Sequence, residues 1–307
     1  MVVGSIPIAH PSPLGRDGRL APVAQRIEHR PPEPRVGGSN PLRRACLSFS
    51  RLAVLCVFLP AFILFIPAAA NAQGPYLRAY HAPEIEAAGG GWWHEPSGNV
   101  SWGGGPLDFR RDLNFSDEAD IDARLKVHLP AAWLPDMYMM ATFLKLQGEN
   151  TLNQSFVFDQ QFRPGQPFDA RIKLHHFDIA GVYSLVPAKE RGLFNAQAGV
   201  NLRVIHLEAT MTQGTVSSTF KDTYAVPLIY LGGRFSASSL LRIEAEARGM
   251  EFSVERYLDL IGRVKFFVAK PLFLATGYRY ERMKISRHDF HLDSGFAGPF
   301  VEAGFDL

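Results

Sequence analysis

The sequence predicts an all-β fold: a transmembrane, antiparallel, up-and-down β-barrel of about ten strands, with eight as the other admissible count. Three observations predict it. Side-chain polarity alternates with period two over runs of nine to eleven residues. The segments between those runs alternate between short and long. An apolar export-signal pattern precedes them, and both cysteines, Cys46 and Cys56, lie within the first 72 residues of the 307.

Charge divides the chain at the same point. The first 72 residues carry a net charge of +5 and the rest −3, with all four Trp and all nine Tyr in the second part. Without cysteine, the second part excludes a disulfide scaffold, thiol catalysis and cysteine-ligated zinc. Residues 1–41 are rich in Pro, Gly and Arg and have no hydrophobic period. Their stretch APVAQRIEHRPPEPRVGGSNP resembles the peptide read when a transfer-RNA gene is translated, so 1–41 is expected to be a mis-assigned or disordered extension. Residues 42–72 read as a signal peptide. Arg43, Arg44 and Arg51 supply the basic region, Leu52 to Ile66 the apolar region, and Ala70-Asn71-Ala72 the cleavage site. Pro60 and the shortness of the apolar run argue against a membrane-spanning helix.

Residues 73–307 then form the barrel domain. In 121–129, Ile121, Ala123, Leu125, Val127 and Leu129 share one face, opposite Asp122, Arg124, Lys126 and His128. In 194–204, Phe194, Ala196, Ala198, Val200, Leu202 and Val204 oppose Asn195, Gln197, Asn201 and Arg203. In 241–249, Leu241, Ile243, Ala245 and Ala247 oppose Arg242, Glu244, Glu246 and Arg248. About ten residues is the length a tilted strand needs to cross a bilayer, against a mode of about 5–6 in soluble sheets. Ten such segments are expected near 85–95, 120–129, 137–148, 170–186, 193–212, 222–236, 240–252, 257–270, 272–286 and 296–307. The odd connections (96–119, 149–169, 213–221, 253–256, 287–295) are mostly long and polar, and the even ones short. That is the organisation of an outer-membrane barrel with periplasmic turns and outer loops. In hydrocarbon every backbone group must be paired, so the sheet must close. The apolar face then looks to lipid and the charged face inward. A soluble periplasmic ligand-binding barrel would invert the two faces and stands as an alternative. Trp92, Trp93, Trp133, Tyr138, Phe194, Phe235, Phe252, Tyr257 and Phe273 are expected to form interfacial girdles.

GGGWWHEPSGNVSWGGG, the acidic DLNFSDEADIDARLKVHLP, AVPLIYLGGRF and the closing FAGPFVEAGFDL resemble a Proteobacterial outer-membrane β-barrel family marked by glycine pairs. The resemblance spans residues 85–307 and rests on Gly, Pro and aromatic landmarks. It implies an exported barrel in the cell outer membrane. It carries no activity and no catalytic residues. The last strand departs from the aromatic ending that barrel-assembly machinery reads, because Asp306 and Leu307 follow Phe305.

No catalytic, cofactor-binding or metal site is expected. Gly89-Gly90-Gly91 lacks the Lys and Ser/Thr of a phosphate loop, and a crowded strand explains it better. Gly103-Gly104-Gly105 marks an outer loop. His288, Asp289, His291 and Asp293 form the densest His/acid cluster. Ten-stranded outer-membrane proteases carry Asp and His at the outer rim, so a rim hydrolase acting on peptide or lipid is the enzymatic alternative. His175 and His176 must face opposite ways on a strand. The inward face is expected to carry Arg124, Lys126, Arg203, Arg234, Arg242, Arg248, Arg263, Lys265 and Arg279 against Asp122, Glu244, Glu246, Asp259, Glu281, Glu302 and Asp306. Such mixed signs suit a packed ion-pair ladder or a narrow pore. The expected role is structural, surface-interacting or narrow-pore, and not enzymatic. The expected partners are outer-membrane lipid, lipopolysaccharide and the barrel-assembly machinery, with no nucleic acid.

Overall fold

The computed structural model describes residues 84–129, 133–186, 192–253 and 255–307. The extension and signal-peptide expectations over 1–72 lie outside them. Ten long strands are present: β1 (Glu84–Trp102), β2 (Glu118–His128), β3 (Asp136–Thr151), β4 (Pro167–Ser184), β5 (Phe194–Gln213), β6 (Val216–Ser236), β7 (Leu241–Phe252), β8 (Glu255–Ala269), β9 (Leu272–Arg287) and β10 (Phe290–Asp306). Each pairs antiparallel with the next, and β10 pairs with β1 from Glu86↔Asp306 to Trp102↔Phe290, closing the barrel. The alternative of eight strands is thereby excluded. Three short strands, Leu107–Asp108, Phe156–Phe158 and Gln160–Phe162, belong to the two long loops.

The closing seam is built from glycine. A Cβ on Gly298 would stand 1.8 Å from the Trp93 carbonyl oxygen, and one on Gly90 2.0 Å from that of Val301. This is the crowded wall expected at Gly89–Gly91. The seam places Glu84 and Asp306 at one end of the barrel, the terminal rim; the long loops 103–117 and 152–166 lie at the other, the loop rim.

The strands run 11 to 21 residues, well beyond what a bilayer needs. Two outer loops expected to be long are tight turns: two residues separate β5 from β6 and β9 from β10. Gly214 and His288 start those turns with φ of +57° and +53°, the sense that matches strand twist. The polar residues of 213–221 and 287–295 are therefore mostly strand, exposed on the outside of the wall.

That extra length has a reversed polarity. On β5 the outward residues from Phe194 to Val204 are apolar, and those beyond are His206, Glu208, Thr210 and Thr212. The inward residues Asn195, Asn201 and Arg203 give way to the buried Ile205, Leu207, Ala209 and Met211. The same reversal runs around the wall. Outward Phe143 is followed by Lys145 on β3, and outward Phe177 is preceded by His175 and Lys173 on β4. The apolar girdle is ten residue steps long on β5, about 33 Å along the strand, or about 25 Å along the axis at a tilt near 40°. This is the height of the outward apolar band of an outer-membrane type of barrel. The exposed Ile229, Leu231, Ile243, Val264, Phe266 and Val301 belong to it. The outer surface is that of a membrane-spanning barrel in the terminal half and of a water-facing barrel, apolar inside, in the loop half.

The apolar interior of the loop half is one continuous cluster that includes Leu144, Leu146, Phe168, Ile172, Leu174, Leu207, Ile285 and Leu292. Both long loops fold into it. Loop 103–117 contributes Leu107, Phe109, Leu113 and Phe115, and loop 152–166 contributes Phe158 and Phe162. Phe220 stacks on Phe290 at 3.9 Å, and Trp102 packs edge-on against Phe158 and Phe220 at 5.5 and 5.4 Å. The loops are tied down by polar bonds. Asn150 Nδ2 donates to the Asp112 carbonyl at 3.0 Å, Asn114 Nδ2 to that of Glu149 at 3.1 Å, and Arg110 Nε to that of Pro96 at 3.0 Å. Pairing of β2 with β3 stops at Ile121↔Phe143. Beyond it, the Asp120 and Glu118 carboxylates accept from the Lys145 and Gln147 backbone N–H at 3.0 and 3.2 Å, satisfying an otherwise open edge.

Candidate functional site

The interior of the girdled half holds the densest chemistry in the molecule. Inward parity brings charged residues from β1, β2, β4, β5, β6, β7, β8, β9 and β10 into the lumen. All the inward charges expected from the sequence point there. Glu86, Asp178, His94 and His176 join them, and nearly all are buried.

Two clusters form. Toward the terminal rim, Lys265 Nζ donates to Glu86 at 2.5 Å and Glu244 at 2.7 Å. Arg124 bonds Glu86 and reaches Glu302 at 3.1 Å. Arg263 and Lys126 share Glu246 at 2.6 and 2.9 Å. Nearer the middle of the barrel, Arg203 grips Asp178 with two bonds of 2.9 Å and also reaches Asp259 at 2.6 Å and Glu281 at 2.5 Å. Arg279 holds Asp259 with two bonds of 3.0 and 2.9 Å. Arg248 links the clusters, donating to Glu246 at 2.7 Å and Asp259 at 3.2 Å.

Aromatic faces complete the packing. Arg279 lies 4.5 Å from the Trp92 ring and Arg248 4.8 Å from that of Tyr138. Trp92, Tyr138, Tyr257 and Phe273 are thus buried inside the barrel and are not girdle residues as expected. Their inward parity decides this, since each follows the period that buries a neighbouring charge or plug residue. Trp93, Trp133, Phe194, Phe235 and Phe252 are exposed, as a girdle or rim requires.

The ladder is a filler. Each guanidinium and ammonium of the two clusters faces carboxylates, and burying unpaired charge would cost several kcal/mol. Above it the lumen becomes the apolar plug. Charged rungs fill the lumen below, and packed Phe, Leu and Ile fill it above. A small recess at the terminal rim, bounded by Lys126, His128, Asn195, Gln197 and Tyr230, is where the lumen opens to solvent.

The His/acid cluster of the last hairpin does not assemble. His288 and Asp289 form the turn, while His291 and Asp293 lie on the outward face of β10. Asp293 pairs with Arg282 at 3.4 Å, and His291 Nδ1 contacts Ser286 Oγ at 2.9 Å. The His291–Ser286 pair is a cross-strand contact, matched by His206 and Thr223 at 2.8 Å elsewhere on the wall. Among the described residues no group of His, Cys, Asp or Glu is arranged to hold a metal ion. His175 and His176 face opposite ways, as a strand demands: His176 is buried beside Arg279 and His175 lies outside against Phe143.

No family model matches the chain, and no curated protein matches it either. Solved structures similar to it are bacterial surface barrels. The outer membrane protease OmpT of Escherichia coli is 10% identical, with 73% of this chain and 97% of that one covered and a TM-score of 0.46. Ail, the attachment invasion locus protein of Yersinia pestis, is 9% identical, with 74% and 100% covered and a TM-score of 0.33. The translocator domain of the autotransporter NalP from Neisseria meningitidis is 11% identical, with 82% and 97% covered and a TM-score of 0.32. None of these likenesses carries an activity to this chain.

Proposed function

We propose that the protein is a non-enzymatic barrel of the bacterial outer membrane, sealed to solutes, that serves the envelope as a structural or surface-interacting element. The observation that carries this reading is the polarity switch inside the barrel. An ion-pair ladder fills the membrane-embedded half, and an apolar plug fills the half beyond it. In this orientation the terminal rim faces the periplasm and the two long loops face outward. Outer-membrane lipid, lipopolysaccharide and the assembly machinery are the proposed partners, and the glycine-pair barrel family is the proposed kinship.

Single-channel recording of the reconstituted full chain tests the seal. The expected trace shows no stepwise conductance; reproducible steps would overturn the reading. Cell fractionation should place the protein with the outer membrane. A panel of peptide and lipid substrates should remain uncleaved, and cleavage lost in His288→Ala or His291→Ala would establish the rim hydrolase instead.

A further inference from the structure

Just beyond the girdle, the outside of the wall carries a charge pattern that sealing the lumen does not require. On β3 to β6 the register sets it out in rows. Ala141, Phe177, Val204 and Ala225 form the last apolar row. Phe143, His175, His206 and Thr223 follow, and then Lys145, Lys173, Glu208 and Lys221. The next row holds Gln147, Arg171, Thr210 and Thr219, and the row above it the acids Glu149 and Asp169, while from β2 Asp120 and Glu118 reach the Lys145 and Gln147 backbone N–H. Glu208 holds two of the lysines, Lys173 at 3.1 Å and Lys221 at 3.0 Å. Among the described ion pairs Lys145 and Arg171 have none, and both are exposed.

Lys145 sits directly opposite Lys173. Like charges so placed destabilise a sheet, and Glu208, already shared between Lys173 and Lys221, leaves Lys145 and Arg171 outside the described ion pairs. Neighbouring strands are about 4.8 Å apart and alternate residues about 7 Å, so the cations cover a compact field two to three rows above the last apolar row. That is the depth of lipid phosphates when the acyl chains lie on the girdle. The terminal rim differs: Trp133, Leu193, Phe194, Phe235, Leu240 and Leu272 are exposed there instead.

We propose that Lys145, Arg171, Lys173 and Lys221 bind the phosphate groups of a phosphorylated glycolipid of the outer leaflet, whose acyl chains lie against the apolar rows below. The inference rests on the orientation given above, with the loop rim outward. Glu208 is a positioning residue that holds two of the lysine side chains across the strands.

The test uses the full chain folded in neutral detergent, titrated with purified lipopolysaccharide, with its dephosphorylated form and with inorganic phosphate. The variants are Lys145→Gln/Arg171→Gln and the same pair with Lys173→Gln and Lys221→Gln. Lys270→Gln, an exposed cation at the terminal rim, is the control. Heat-dependent gel mobility checks that each variant folds. Affinity for lipopolysaccharide should fall about fivefold for each cation removed, as expected for basic residues at an anionic lipid surface, and the control should change by less than about twofold. Dephosphorylated lipid should bind at the level of the quadruple variant. Unchanged affinity in both variants, or equal binding of dephosphorylated lipid, would overturn the inference. Full displacement by inorganic phosphate at matched phosphate concentration would overturn it too, by making the field a simple anion site. Failure of the chain to fractionate with the outer membrane would instead sink the underlying orientation, before any lipid is added.

Discussion

Asp259 is the hub of the lumen, and neutralising it isolates what the ladder contributes. Its carboxylate accepts two bonds from Arg279, one from Arg203 and one from Arg248. In Asp259→Asn, Arg203 keeps Asp178 and Glu281, and Arg248 keeps Glu246. Arg279 loses its two-pronged partner; of its carboxylates it keeps Glu281, 3.1 Å away, beside the neutral Thr142 Oγ1 at 3.0 Å. Breaking one partner of a buried pair costs about 3–5 kcal/mol, because the remaining charge stays desolvated. The comparison is Asp122→Asn. Asp122 is also buried, but its Oδ1 has no hydrogen-bond partner. Neutralising a poorly bonded buried carboxylate removes a desolvation cost along with its Coulomb partners, so the net change should stay within about 1 kcal/mol. Both are single charge-to-neutral changes of the same shape in the same lumen. Urea unfolding in lipid vesicles, followed by tryptophan emission, measures the two stabilities; Trp92 against Arg279 should report the local change as well. Equal destabilisation by the two variants would refute the view that Asp259 acts through its specific bonds and not through the summed charge of the lumen.

Three further outcomes follow from the geometry. Val200→Arg places a cation outward in mid-girdle and should cost about 2–4 kcal/mol in vesicles, whereas Thr210→Arg, outward on the same strand but beyond the girdle, should stay within about 0.5 kcal/mol. Gly298→Ala drives a methyl group into the Trp93 carbonyl of the closing seam; the wall can yield only by shifting backbone, so gel mobility should show a less heat-resistant barrel, by about 1–3 kcal/mol or more. The Glu208 carboxyl is held below its usual pKa by hydrogen bonds from Lys221 and Lys173. Its contribution is present above the unfolded value of about 4.3 and is lost as pH falls through the lower folded value. Wild type should therefore lose slightly more stability than Glu208→Gln between about pH 5 and pH 3 in urea titrations, and a larger loss in the variant would reverse the sign.

The parity of the chain was legible in the sequence, because a strand has only two faces and one of them must meet lipid. Hence Leu202 and Ile243 look outward and Arg203 and Glu244 inward, as their alternation predicts. The change of environment along a strand is also written there, as a break in phase. Val204 and Ile205 are adjacent and both apolar; after them the apolar residues occupy the other face. Segments 213–221 and 287–295 read as loops because they are polar, while the strand expected at 193–212 runs straight through this break. Read with two outer solvents, the break marks the level where lipid gives way to water and the wall must reverse. The same rule places Trp92 inside: it shares the parity of Glu86, so its indole meets Arg279 and its Nε1–H the Gly298 carbonyl at 3.2 Å. What alternation alone does not carry is partnership across the lumen. Asp178 and Arg203 are cross-strand neighbours, within reach of any correct hairpin register. Arg203 and Glu281 are 78 residues apart and not on paired strands, so their bond exists only because the barrel closes at the β1–β10 seam. The glycines that permit that closure and the ion ladder it brings together are thus one structural device: without the seam, the inward charges would lose the partners that make burying them tolerable.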